Sequence, residues 1–171
     1  ASTPADCFNA TYEAARIALE HMMPVILLSD GYLGNGSEPW LIPDIDQLKP
    51  IKTHITTEVK NFNPFDHTPD TLARPWAVPG TPGMEHRVGG LEKSEGSGNV
   101  NYSAENHQRM TELRQQKLDV VAEFIPEAEV YGPEKGDLLV VSWGSTYGPV
   151  RTAVEKAKKA NLSVAHLQLR H

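Results

Sequence analysis

Apolar residues along the chain follow two spacings, and the change from one to the other marks its elements. Phe8, Tyr12, Ala15, Leu19 and Met22 recur every three or four residues and predict one helical face. Thr3 is placed to cap that helix, Pro4 suits its first turn, and Asp6 sets a negative charge near its positive end. Pro24 stops it, and Val25-Ile26-Leu27-Leu28 follows as a continuous apolar run, the pattern of a parallel strand covered on both faces. A second helix is predicted over 103–125, capped by Ser103. It carries Met110, Leu113, Val120, Val121 and Phe124 on one side, with Lys117 interrupting the stripe by snorkelling. Leu138-Leu139-Val140-Val141-Ser142-Trp143 is a second buried strand, 144–148 a glycine-bounded turn, and Pro149 opens a helix to about residue 160. Residues 162–169 read as a third strand. Strand, helix and strand make a β-α-β unit, so 138–143 and 163–169 should run parallel with a right-handed crossover.

The opening helix and strand look like the second half of a similar unit. Its first strand is expected before Ala1, and the sheet is expected to continue beyond His171. Between these ends the pattern breaks down. Residues 39–133 hold ten of the thirteen prolines, and six glycines fall between 80 and 98. Missing ladder donors and restricted φ angles disfavour long elements there, and 52–59 is the one plausible strand. Trp40, Ile42, Phe62, Phe65, Trp76, Val78 and Met84 still need burial, so the stretch is expected as an extended arm laid on something larger. The fold class expected is α/β, with parallel-sheet pieces joined by a long Pro/Gly-rich arm.

Composition narrows the function. A formal net charge of −6, with basic residues scattered among acidic ones, argues against a nucleic-acid or anionic-membrane surface. No apolar run approaches a membrane span, and no charged-then-apolar leader is present at Ala1. Cys7 is the only cysteine, which excludes an internal disulfide framework and a Cys-ligated cluster. A soluble cytoplasmic protein is the expectation.

Three sites invite chemistry. Asp30-Gly31 closes the first strand at what would be the carboxyl edge of a parallel sheet, where ligands gather. Its resemblance to the metal-binding turn of thiamine-diphosphate enzymes fails on detail: no glycine precedes the Asp, and Asn35 lies too close. Gly144, Ser145 and Thr146 sit between strand and helix, where backbone N–H groups can hold an anion. They match neither a Walker A loop nor a dinucleotide fingerprint, and tight-turn geometry is the competing explanation. His86-Arg87, on a glycine-flanked loop, could meet a carboxylate or a phosphate, against the plainer reading of a surface or interface loop. The seven histidines show no metal-ligand spacing, no GxSxG elbow occurs, and Cys7 is better placed to pack than to react.

Three blocks in order, PVILLSDGYLGNGSEPW, RPWAVPGTPGMEHRVGGLEKSEGSGNVNYSAENHQRM and GDLLVVSWGSTYGPVRTAV with AHLQLRH, resemble the α subunit of 2-oxoacid:ferredoxin oxidoreductases of the 2-oxoglutarate type. The resemblance implies a thiamine-diphosphate enzyme that decarboxylates a 2-oxoacid, passes electrons through an iron–sulfur cluster to ferredoxin, and hands the acyl group to coenzyme A. It maps 1–43 to the end of a pyrimidine-binding domain. Residues 44–135 become a connecting arm with one helix, and 136–171 the start of a transketolase C-terminal-like domain. The family's YPITP-type substrate segment and its activating glutamate are not in this sequence. Pyrophosphate, Mg²⁺ and cluster ligands are expected on a β subunit, so no catalytic residue carries over and no tight cofactor binding is expected of this chain alone. Asp30, Gly31, His86 and Arg87 fall in the matching blocks without an implied role. The competing class is a non-catalytic binding or assembly module with an anion site at 144–148.

Overall fold

The computed structural model describes all of residues 1–171. In chain order the elements are α1 (Asp6–His21), α2 (Gly31–Asn35), β1 (Ile55–Thr56), β2 (Trp76–Ala77), α3 (Ala104–Glu123), β3 (Val130–Tyr131), β4 (Leu138–Trp143), α4 (Tyr147–Lys159) and β5 (Val164–Leu169). Short 3-10 turns lie at Ile45–Gln47 and Gly144–Thr146. The chain divides into two units. One is Ala1–Ala15, Ile26–Lys49 and Ile125–His171; the other is Arg16–Val25 with Pro50–Phe124.

The first unit holds a three-stranded sheet in the order β3-β5-β4. β4 and β5 run parallel, from Leu138 opposite Val164 to Trp143 opposite Leu169, as the β-α-β reading requires. The antiparallel edge strand β3, with Val130 opposite Leu167, has no counterpart in the sequence reading; two residues are too few for a periodic signal. α4 starts at Tyr147 rather than Pro149, because the turn before it winds directly into the helix and proline is tolerated in a first helical turn. Val154 of α4, Ala165 and His166 of β5 and Ser142 of β4 are buried; Ala165 and His166 alternate to opposite faces of the sheet, His166 sharing its face with Ser142 and with Tyr147 of α4. β4 is not covered on both faces as expected: only Ser142 is buried in it, and Leu138, Leu139, Val141 and Trp143 are exposed.

Two expectations for the start of the chain need correction. Val25 to Leu28 forms no strand, because no other segment here offers it a ladder. Ile26 and Leu28 are 84% and 76% exposed. α1 forms with Thr3 as its cap, the Thr3 hydroxyl accepting the Asp6 N–H at 3.1 Å. Its buried positions are Ala10, Ile17 and His21, not the stripe from Phe8 to Met22. Phe8 is drawn aside by other aromatics, stacking on Tyr12 and tilting against Trp40.

The second unit is poor in regular structure, as its prolines dictate. The strand expected over 52–59 shrinks to β1, paired parallel with β2 through Ile55 opposite Trp76. Helix α3 supplies most of the order. Its Ser103 cap accepts the Asn106 N–H at 3.2 Å, and Leu113 and Val121 are its buried positions. They share the unit's interior with Ala73, Met84, Ile17 and His21. Lys117 is half-buried, its ammonium 3.4 Å from the Met22 carbonyl, which fits the snorkelling reading.

Candidate functional site

In the first unit two separately flagged stretches meet. Asp30 caps α2: Oδ1 accepts the N–H groups of Tyr32 at 3.0 Å and Leu33 at 3.1 Å. Oδ2 reaches 115 residues along the chain and accepts the Ser145 N–H at 3.0 Å. The Ser145 hydroxyl and N–H, then the capping N–H groups, hold the Asp30 carboxyl below its ordinary range. Gly144 makes this approach possible. Its φ is +60, and a Cβ there would lie 3.1 Å from Asp30 Oδ2. The turn at 144–146 therefore does bind a carboxylate, and that carboxylate is the chain's own. Thr146 contributes otherwise: its hydroxyl donates to the Trp143 carbonyl at 2.5 Å. Gly31 has open space where a Cβ would stand, so its freedom serves no close approach.

Behind this turn, His166 and Ser142 lie side by side on β5 and β4, Nε2 to Oγ at 2.7 Å, with Gln168 Oε1 2.6 Å from the same hydroxyl. Burial pushes the imidazole pKa down and keeps it neutral. A serine–histidine contact buried between strands locks register; it presents no nucleophile to a substrate.

His86 and Arg87 belong to the second unit. There they line a groove of about 1010 Å³ together with Phe65, Arg74, Trp76 and Lys93. His86 is held by its Nδ1 contact with the Met84 carbonyl at 2.8 Å, and its ring sits edge-on to Phe65. Arg87 is exposed and pairs with no acid. Sequence reasoning found this loop but missed Arg74 and Trp76, which the parallel pairing of β1 and β2 brings to the same groove. The available signal was an arginine and a tryptophan flanking Pro75 within 71–84, a stretch that holds no Asp or Glu.

Asp30 does not fit a diphosphate-bound divalent ion of the kind thiamine diphosphate brings. Both of its oxygens face backbone N–H donors, which a cation would have to displace. No group of three His, Cys, Asp or Glu side chains is spaced to hold a metal.

Comparison with known proteins adds the wider context. Residues 1–106 match the family described as pyruvate flavodoxin/ferredoxin oxidoreductase, thiamine diP-binding. The chain is 48% identical to the 2-oxoglutarate oxidoreductase subunit KorA of Mycobacterium tuberculosis, over 99% of this chain and 26% of the relative. It is 26% identical to the 2-oxoglutarate synthase subunit KorA of Methanothermobacter marburgensis, over 98% of this chain and 44% of that one. A solved structure of 2-oxoglutarate:ferredoxin oxidoreductase from Magnetococcus marinus, with 2-oxoglutarate, coenzyme A and succinyl-CoA bound, superposes with a TM-score of 0.86 at 31% identity. That match covers 99% of this chain and 29% of the solved one. The chain thus spans between about a quarter and a half of the relatives it matches.

Proposed function

The chain belongs to the thiamine-diphosphate-binding family of pyruvate flavodoxin/ferredoxin oxidoreductases, and from that premise we propose that it is part of the α subunit of a 2-oxoacid:ferredoxin oxidoreductase. The reaction is the oxidative decarboxylation of 2-oxoglutarate or a related 2-oxoacid to its acyl-CoA, with the electrons going to ferredoxin. The observation that carries the reading is the structural match to the Magnetococcus enzyme, which runs through both units of the chain at 31% identity. When bound, thiamine diphosphate supplies the carbon centre that accepts the 2-oxoacid. In this reading the diphosphate contacts, Mg²⁺ and the iron–sulfur cluster belong to a partner β subunit, as the family resemblance implies, and the assembly works in the cytoplasm. In this reading 1–43 closes a pyrimidine-binding domain, 44–135 is the connecting arm, and 136–171 opens a transketolase C-terminal-like domain. The family match to residue 106 carries much of the arm with the cofactor domain.

The experiment is to isolate the assembly through a tag on this chain and follow ferredoxin reduction with 2-oxoglutarate, thiamine diphosphate and coenzyme A. Reduction that requires all three is expected; no reduction with any 2-oxoacid would refute the assignment. The alternative of an anion-binding module has less support, since Asp30 already takes the Ser145 N–H of the turn at 144–146 and sets a negative charge against it.

A further inference from the structure

In the second unit the end of α1 meets α3 and the 67–74 loop around a group of basic side chains. His21 closes the last turn of α1, where the helix dipole ordinarily favours a cation. Lys117 of α3 takes that place instead, its ammonium 3.4 Å from the Met22 carbonyl. His21 is 2% exposed, its ring lies 5.7 Å from that of Phe124, and its Nδ1 is enclosed without a hydrogen-bond partner. His67 is half-buried, and its Nδ1 is enclosed in the same way. Each neutral ring therefore carries its proton on Nε2, since a proton on Nδ1 would be a buried donor with no acceptor. The imidazolium form cannot avoid that proton. The charges around the rings act in the same direction. Burial, with the Arg16 and Lys117 charges, holds His21 below the ordinary imidazole range against the Thr71 backbone and Glu20. Burial, with Lys117, Arg74 and Arg109, does the same to His67 against Glu95. Neither acid is free: Glu20 pairs with Arg16 at 2.7 Å, and Glu95 pairs with Arg109 at 3.0 Å while standing 3.5 Å from His67 Nδ1. His54 adds a further imidazole at the edge of the group, its Nε2 3.0 Å from the Glu20 carbonyl.

We propose that the second unit carries a proton-sensitive catch, in which His21 and His67 must stay neutral for the end of α1, the 67–74 loop and α3 to remain packed around Lys117. Both rings bind a proton more weakly when packed than in water. The open form therefore takes up more protons. Packing is at full strength above the ordinary imidazole value of about 6.5 and weakens as pH falls below it. Linkage limits the change in the ratio of closed to open forms to about tenfold per pH unit for each histidine. Met22 and Arg74 line the same groove as His86 and Arg87, so the catch gives that groove a dependence on mild acid. None of this depends on the oxidoreductase reading, because packing is measured without turnover.

The test is amide hydrogen exchange of the protein in the assembly in which it is isolated, corrected for the chemical pH dependence of exchange itself. Peptides covering 16–25, 67–74 and 113–124 should be equally protected at about pH 8 and pH 7. They should lose protection between about pH 6.5 and pH 5, by up to about tenfold per pH unit for each histidine, and regain it on return to neutral. Peptides covering 138–169 should keep theirs. His21→Gln combined with His67→Gln should flatten the pH dependence whatever it does to protection at neutral pH, because the slope and not the level is read. Lys117→Met keeps an apolar stem and removes the charge that both rings face. It should make the acid loss smaller, and it serves where the double variant does not fold. The proposal falls if wild-type protection over the three segments is independent of pH, or if either variant keeps the wild-type slope. It falls equally if 138–169 loses as much protection, since acid would then be taking the whole assembly apart.

Discussion

Two residues do more than their neighbours, each because of a contact made far along the chain. Asp30 joins the start of α2 to the turn after β4 through three N–H groups. Its folded pKa lies below its unfolded one, so its contribution is present above the unfolded value and is lost as pH falls through the folded value. Asp30→Asn keeps the capping oxygen and removes the charge. Its thermal midpoint should lie below wild type at neutral pH, and the gap should close as pH drops from about 4 downward. Parallel melts of both proteins between about pH 7 and pH 3 check this; a gap independent of pH would mean the charge does nothing. Gly98 is the second. Its φ is +65, and the Phe65 ring occupies the space a Cβ would need. Gly98→Ala should cost about 1–3 kcal/mol by denaturant melting. Because Phe65 meets the His86 ring edge-on, the substitution should disturb the packing of the His86 loop too.

Among the elements, α3 tests how far local signals decide structure. Ser103→Ala should cost about 1 kcal/mol through the lost cap. Leu113→Ala, at a position 6% exposed, should cost about 2–5 kcal/mol through the cavity left behind. Equal losses would show that packing contributes no more than the cap. The start and cap of α3, and Leu113 and Val121 of its core side, were legible because each rests on residues within a few positions of one another, whereas Phe124, expected on that side, is exposed. The β4-α4-β5 unit was legible for the same reason. Val25 to Leu28 misled because a run of branched apolar residues reports what a segment would bury, not whether a ladder partner is present to pair with it. The candidate site was legible only as separate pieces. Asp30 and the turn at 144–146 were both flagged, yet no local pattern says that the acid fills the anion site 115 residues away. Trp76 was flagged only as needing burial, and its place in the groove beside Arg74 escaped notice because a two-residue pairing between β1 and β2 sets it there, and such pairings leave no period in a sequence.

At the scale of the molecule, the exposed apolar residues of the first unit call for a covering surface. Ile26, Leu28, Leu41, Ile42 and Ile45 are 76–91% exposed, and four residues of β4 lie open beside their buried Ser142. Single exposed leucines are ordinary, but adjacent pairs and runs are the mark of an interface. The chain spans only 26% of its mycobacterial relative, so the covering surface can come from further polypeptide or from a partner subunit. Both have the same physical consequence. Expressed alone, the 171 residues should bind an apolar dye and self-associate as concentration rises, and Ile26→Ser with Leu28→Ser should reduce both. In the isolated assembly dye binding should be low, and the same double substitution should weaken assembly rather than improve solubility. This opposite sign is the discriminating result. A wild-type chain that stays monomeric and dye-silent by itself would show that these residues need no cover, and the subunit reading would lose its physical motive.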